Sequence, residues 1–187
     1  MEEKTREAID EEGWLHTGDI GVIMPNGAIK IIDRKKNIFK LSQGEYVAAE
    51  KIENVYIKSP LIMQCFVYGD SLQSCLVGII VPDPEQFKTW AAEHGGTEDL
   101  EKLKGPMLKY LDTVGKEGGL KGFELVKAIH IEASPWTVEE PQSVLTPTFK
   151  LKRVDAKKRY QAQIDAMYSS GISTVAGKTG LKQGEDQ

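Results

Sequence analysis

The chain has 187 residues, enough for one ordinary domain and a piece of a second; 40% are apolar and 28% charged, the balance of a soluble globular protein. A formal net charge of −4 argues against a general nucleic-acid binder, which needs a basic surface to neutralise phosphates. No apolar run reaches the roughly 18–20 residues a membrane crossing needs, and the charged stretch Met1–Asp10 leaves no room for a secretory core, so an intracellular setting is expected.

In chain order, Gly18–Met24 and Ala28–Asp33 read as two strands joined by Pro25-Asn26-Gly27, a β-hairpin. The basic triplet Arg34-Lys35-Lys36 follows, then an extended piece over Ile38–Leu41 and the turn Ser42-Gln43-Gly44. A helix over 49–58 would bury Ile52, Val55 and Tyr56, with Glu50 near its positive N-terminus. Strands are expected at Leu61–Tyr68 and Cys75–Val81. Asp83-Pro84 is a cap followed by proline at the first helical position. More helix runs from Thr97 to about Val114, where Gly105-Pro106 should break or kink it. Phe123–Ile131 is a third strand, and Asp155–Tyr168 an amphipathic helix with Ala156, Tyr160, Ile164 and Met167 on one side.

The implied class is α+β: a small mixed sheet flanked by helices, preceded by a β-hairpin. The polar, Gly/Ser-rich segment 169–187 reads as a disordered tail. Its Gly177-Lys178-Thr179 is not a phosphate loop, because the preceding glycine is wrongly spaced and no strand leads into it. Cys65 and Cys75 lack metal or redox spacing, and with His16, His94 and His130 scattered, no metal site is expected.

Three clusters carry candidate chemistry: Gly13-Trp14-Leu15-His16-Thr17-Gly18-Asp19-Ile20-Gly21; Lys30-Ile31-Ile32-Asp33-Arg34-Lys35-Lys36 with the Gly44 turn; and Leu145-Thr146-Pro147-Thr148-Phe149-Lys150-Leu151-Lys152-Arg153. Singly, each has an ordinary explanation: an aspartate in a glycine turn, a solvated basic triplet, a loop lysine. Together and in this order they resemble the adenylate-forming enzyme superfamily, most closely the long-chain fatty acyl-CoA synthetases. The resemblance spans residues 11–168. Members are several times longer, with a phosphate loop, an adenine-binding motif and an acyl channel in a large N-terminal domain. This chain therefore resembles their C-terminal part: residues 1–35 the end of the large AMP-binding domain, and 36–168 the mobile lid.

The resemblance implies a role for each matching residue. Asp19 would hold the ribose hydroxyls, for which a carboxylate offers acceptors and no donor. Arg34 would contact the nucleotide through its planar, permanent charge. Lys36, or its neighbour Lys35, would be the hinge. Lys150 would be the catalytic lysine, stabilising charge as the acyl carboxylate attacks the α-phosphorus of ATP and pyrophosphate leaves. Lys40 to Tyr46, with Gly44 among them, would line the tunnel for coenzyme A; Gly44 serves equally as an ordinary turn glycine. The implied cofactors are ATP and coenzyme A, with Mg2+ accompanying ATP but finding no ligands here.

The implied partners are the N-terminal domain of the same enzyme and, in the whole protein, fatty acid, ATP and coenzyme A. The lid alone is expected to be inactive, and membrane attachment is a feature of many relatives. Two departures stand out: Ile23 where the family usually has Trp, and Ala49 where Pro often starts the helix. A reading from another class is a free-standing, non-catalytic lid-like module that binds a partner protein or a nucleotide. A third keeps the enzyme with an aryl or amino acid substrate, against which the fatty-acid signature argues. Residues 1–33, lacking neighbouring strands, are expected to be poorly ordered or non-native.

Overall fold

The computed structural model describes residues 5–6, 8–96, 99–141 and 143–170. Of the expected disordered tail 169–187, Ser169 instead ends the last helix and Ser170 caps it, while 171–187 and the helix start at Thr97 lie outside the described residues.

The first element is the antiparallel ribbon β1 (Asp19–Ile23) and β2 (Ile29–Arg34), in a register that sets Asp19 opposite Arg34. Its turn closes where Met24 N–H donates to the carbonyl of Ala28 and Ala28 N–H donates to Asn26 Oδ1. The ribbon is therefore paired in register without neighbouring strands, because its turn and ladder are local. Its side chains nonetheless lie open, including Ile20, Val22, Ile23, Ile29, Ile31 and Ile32.

A single 3-10 turn, Lys35–Asn37, leads into β3 (Ile38–Lys40). This strand pairs with β4 (Tyr46–Ala48), which the sequence reading had not separated from the turn before it. Helix α1 (Ala49–Tyr56) follows at once, burying Ala49, Ile52, Glu53, Val55 and Tyr56. Ala48 supplies no side-chain cap. Asp33, seventeen positions back, does so instead: Glu50 N–H donates to its Oδ2 at 3.2 Å. The carboxylate stands where the orphan N–H groups and the positive end of the helix dipole want it.

The centre is a three-stranded sheet ordered β5 (Ile62–Tyr68), β6 (Leu76–Pro82), β7 (Val126–Ile131). β5 and β6 are antiparallel, β6 and β7 parallel. Every residue of β6 is buried, as a central strand covered on both faces requires. Its alternation splits the core in two. Leu76 and Ile80 face one cluster, with α1, α2 (Pro84–Ala92) and α3 (Leu100–Glu117); Val77, Ile79 and Val81 face another, with α4 (Arg153–Arg159) and α5 (Gln161–Ser169). The α+β class stands as read.

The cap at Asp83 is present, its Oδ1 accepting from the N–H groups of Glu85 and Gln86. Two expectations need correction. Pro106 does not end a helix; α3 runs unbroken through it. An interior proline costs about 3 kcal/mol. Leu103, Met107 and Leu111, spaced four apart and fully buried, offset this at about 1.5–3 kcal/mol each. One turn further on, Gly115 lets α3 approach Leu125, whose Cδ2 would lie 2.5 Å from an added Cβ.

The final helix is two helices, because Tyr160 turns out of helical geometry at φ −102°, ψ 16°. Its buried hydroxyl donates to Glu132 and accepts from Trp136 Nε1 at 2.7 Å, so the joint satisfies polar groups on both neighbours. Ala156, Tyr160, Ile164 and Met167 form the buried side as expected. Among the described residues, no helix is long and apolar enough to cross a membrane.

Candidate functional site

Lys150 sits at the end of a tight loop built by Thr146. The Thr146 N–H donates to the carbonyl of Lys150 at 2.8 Å, and Lys150 N–H donates back to Thr146 Oγ1 at 3.0 Å. Phe149 N–H donates to the Thr146 carbonyl, and a bridge between Leu145 and Leu151 closes the base. The turn forces Phe149 into the left-handed region at φ 58°, a costly place for a bulky residue. Lys150 itself is solvent-exposed.

The base of the loop is fastened by Arg153. Its guanidinium donates to both carboxylate oxygens of Glu53, at 2.8 Å to Oε2 and 3.0 Å to Oε1, and to the Val67 carbonyl at 3.0 Å. Val67 N–H donates to Glu53 Oε1 at 2.7 Å. Burial pushes the Glu53 carboxyl up from its ordinary range, opposed by the Arg153 guanidinium and the Val67 N–H. Residue-type reasoning missed Glu53, although its spacing from Ala49 and Tyr56 places it on the buried stripe of α1.

Asp19 and Arg34 meet across the ribbon, with Arg34 Nε 3.5 Å from Asp19 Oδ1. Both are accessible, so the pair contributes little to stability and is open to a ligand. Asp33, also missed, is buried and holds the start of the 3-10 turn. Its Oδ1 accepts from Arg34 N–H at 2.6 Å and from Asn37 Nδ2 at 3.1 Å. Lys36 lies exposed in the middle of that turn, between extended residues at Arg34 and Ile38. Three unburied residues between extended flanks suit a pivot.

Arg34 and Lys150, 116 positions apart, wall one cleft of about 520 Å3, together with Glu50, Glu53, Asn54, Trp136 and Arg153. Asp19, Lys36, Lys40, Gly44 and Tyr46 do not line it. The last three form their own group on the β3–β4 hairpin. Lys40 Nζ lies 5.5 Å from the Tyr46 ring centre, and Gly44 takes φ +95°. An added Cβ at Gly44 would meet only Lys40 Cε at 3.9 Å, so backbone conformation rather than crowding selects glycine. Contacts from Ser42 N–H to the Gln73 carbonyl and from Gln43 Nε2 to the Ser74 carbonyl tie this hairpin to the loop that joins β5 and β6.

A larger cavity of about 650 Å3, between α3, β7 and α5, includes none of Asp19, Arg34, Lys36, Lys40, Gly44, Tyr46 and Lys150. Among the described residues no group of three or more His, Cys, Asp or Glu is placed to hold a metal ion, so no residue is assigned to Mg2+.

No family model matches the chain. It is 54% identical over 174 residues to the rat protein Long-chain-fatty-acid--CoA ligase 5, covering 90% of this chain and 25% of that one. Identity is 50% over 186 residues to Long chain acyl-CoA synthetase 6, peroxisomal, of Arabidopsis thaliana, covering 95% and 26%. Among solved structures, the A domain of carboxylic acid reductase from Segniliparus rugosus, in complex with AMP and a co-purified carboxylic acid, superposes with a TM-score of 0.79. That match is 36% identical and covers 90% of this chain and 25% of that one. The chain thus spans about a quarter of the length of the relatives it matches. It is a segment of the adenylate-forming type, similar to the long-chain-fatty-acid--CoA ligases over about a quarter of their length.

Proposed function

We propose that this segment is the hinge and lid of an enzyme that joins a long-chain fatty acid to coenzyme A at the expense of ATP. In the first step a carboxylate oxygen of the acid bonds to the α-phosphorus and pyrophosphate departs, giving the acyl-adenylate. In the second the coenzyme A thiolate attacks the acyl carbonyl and AMP departs. The observation that carries this reading is the shared cleft: Arg34 and Lys150 wall one cavity although they are remote in sequence.

Each residue then has a physical task. Asp19 accepts from ribose hydroxyls, and Arg34, already beside it, holds nucleotide oxygens. Lys150 brings an ammonium to the in-line transition state, where negative charge accumulates and a positioned cation is worth most. The charge also draws two anionic substrates together. Lys36, in its short unburied turn, is the pivot between residues 1–35 and 36–168. Rotation there would withdraw Lys150 and present Lys40, Gly44 and Tyr46 to the pantetheine arm. Mg2+, when bound with ATP, would neutralise phosphate charge, with ligands from outside this segment.

The open apolar ribbon, with Trp14 and Leu15 beside it, fits burial against the N-terminal domain of the whole enzyme. Acting alone, the segment would have no acyl channel and no catalysis. The whole protein is expected inside the cell.

The nucleotide assignment is tested in the full-length ligase carrying this sequence. Asp19→Ala and Arg34→Ala should each raise the KM for ATP at least about tenfold, roughly 1.4 kcal/mol of lost binding. An unchanged KM for ATP in both variants overturns it.

A further inference from the structure

We propose that Glu53 and Arg153 are positioning residues for Lys150, a role that rests on the reading of Lys150 given above. Only Leu151 and Lys152 separate Lys150 from Arg153, and both are fixed by backbone. Leu151 bridges to Leu145, and Lys152 N–H donates to the Val144 carbonyl at 2.8 Å. Arg153 follows directly on this backbone-paired base.

Arg153 is held in direction as well as in place. Its two terminal nitrogens reach the Glu53 carboxylate in three bonds of 2.8–3.0 Å, and one continues to the Val67 carbonyl. The guanidinium lies over the Phe66 ring, its carbon 5.3 Å from the ring centre. Glu53 is held in turn by Val67 N–H and by its place in α1. A fork donor matched to a carboxylate fixes angle, which a lysine cannot.

Stability is a weak reason for this arrangement, since a buried ion pair often does no better than apolar residues of the same volume. Direction is a stronger one. Lys150 is exposed, and among the described residues its side chain has no hydrogen bond or ion pair, so its aim depends on the frame beneath it. That frame is also a wall of the cleft, because Glu53 and Arg153 both line it.

The test uses the full-length ligase with E53Q, R153K, K150A and the double variant E53Q/K150A. Two half-reactions are followed: fatty-acid-dependent ATP–pyrophosphate exchange, and thioester formation from supplied acyl-adenylate. E53Q and R153K should each lower exchange turnover about tenfold or more, with the KM for ATP and thioester formation changed less than about twofold. E53Q should add less than about twofold to the loss already caused by K150A, because residues acting as one unit are not additive.

Undiminished exchange in E53Q and R153K, or equal loss in both half-reactions, overturns the proposal. Thioester formation at the normal rate certifies folding within the same sample. Should E53Q fail to fold, R153K, which keeps charge and most of the volume, decides alone. Normal exchange in K150A would instead overturn the assignment of Lys150 itself, which separates the two failures.

Discussion

Asp33 offers the sharpest structural test, because one carboxylate serves three donors from three elements. Replacing it with alanine removes the bonds from Arg34 N–H at 2.6 Å, Asn37 Nδ2 at 3.1 Å and Glu50 N–H at 3.2 Å. The lost cap on α1 costs about 1 kcal/mol. Its charge at the helix N-terminus adds about 0.3–1 kcal/mol, and the Arg34 N–H left without its partner about 1 kcal/mol more. Urea unfolding of the 187-residue chain should therefore show a loss of about 2–3 kcal/mol for Asp33→Ala, read from the midpoint at constant slope. Asp33→Asn, which keeps shape and some acceptor capacity, should lose about half as much. A loss below about 0.5 kcal/mol for the alanine variant would show that Asp33 is an ordinary surface residue. The reasoning that ties the ribbon to α1 would then fail.

Phe149→Gly should stabilise the chain by about 1 kcal/mol in the same assay, since glycine accepts the left-handed φ of 58° that phenylalanine resists. A destabilised variant would show that the ring's contacts outweigh the backbone cost. His130 gives a pH signature: burial pushes its pKa below the ordinary 6.5, helped by nearby Lys104 and opposed by Glu132 and Glu101. The unfolded chain then takes up a proton first on acidification. The contribution is whole above pH 6.5 and is lost as pH falls through the folded value. His130→Gln should flatten the fall of the urea midpoint as pH drops below 6.5, and an unchanged slope would refute the shift.

Local features were legible in the sequence. The ribbon announced itself through Pro25-Asn26-Gly27 and alternating strands, and the α2 cap through Asp83-Pro84, because turn and cap chemistry act over two or three residues. The ordered motifs placed Arg34 and Lys150 as candidates, and the fold sets both on one cleft.

What escaped was set by distant partners. Pro106 stays helical because Leu103, Met107 and Leu111 are held by the sheet, which no window around the proline reveals. Tyr160 breaks a periodic helix because Glu132 and Trp136 await its hydroxyl. Asp33 and Glu53 look like surface acids, yet their partners stand 17 and 100 positions away. Ala49 in place of a helix-starting proline leaves preorganisation to Asp33, an exchange visible only after folding. Ile23, standing where the family usually has Trp, remains open to solvent on the ribbon, where it pairs with Ile29.

The proposed lid mechanism requires Lys150 to act in one half-reaction and to leave before the other. In the full-length ligase, K150A should lower ATP–pyrophosphate exchange by about 100-fold or more, near 3 kcal/mol of transition-state stabilisation. Thioester formation from supplied acyl-adenylate should stay within about threefold of the unaltered enzyme. Equal loss of both, or exchange at the normal rate, would contradict it.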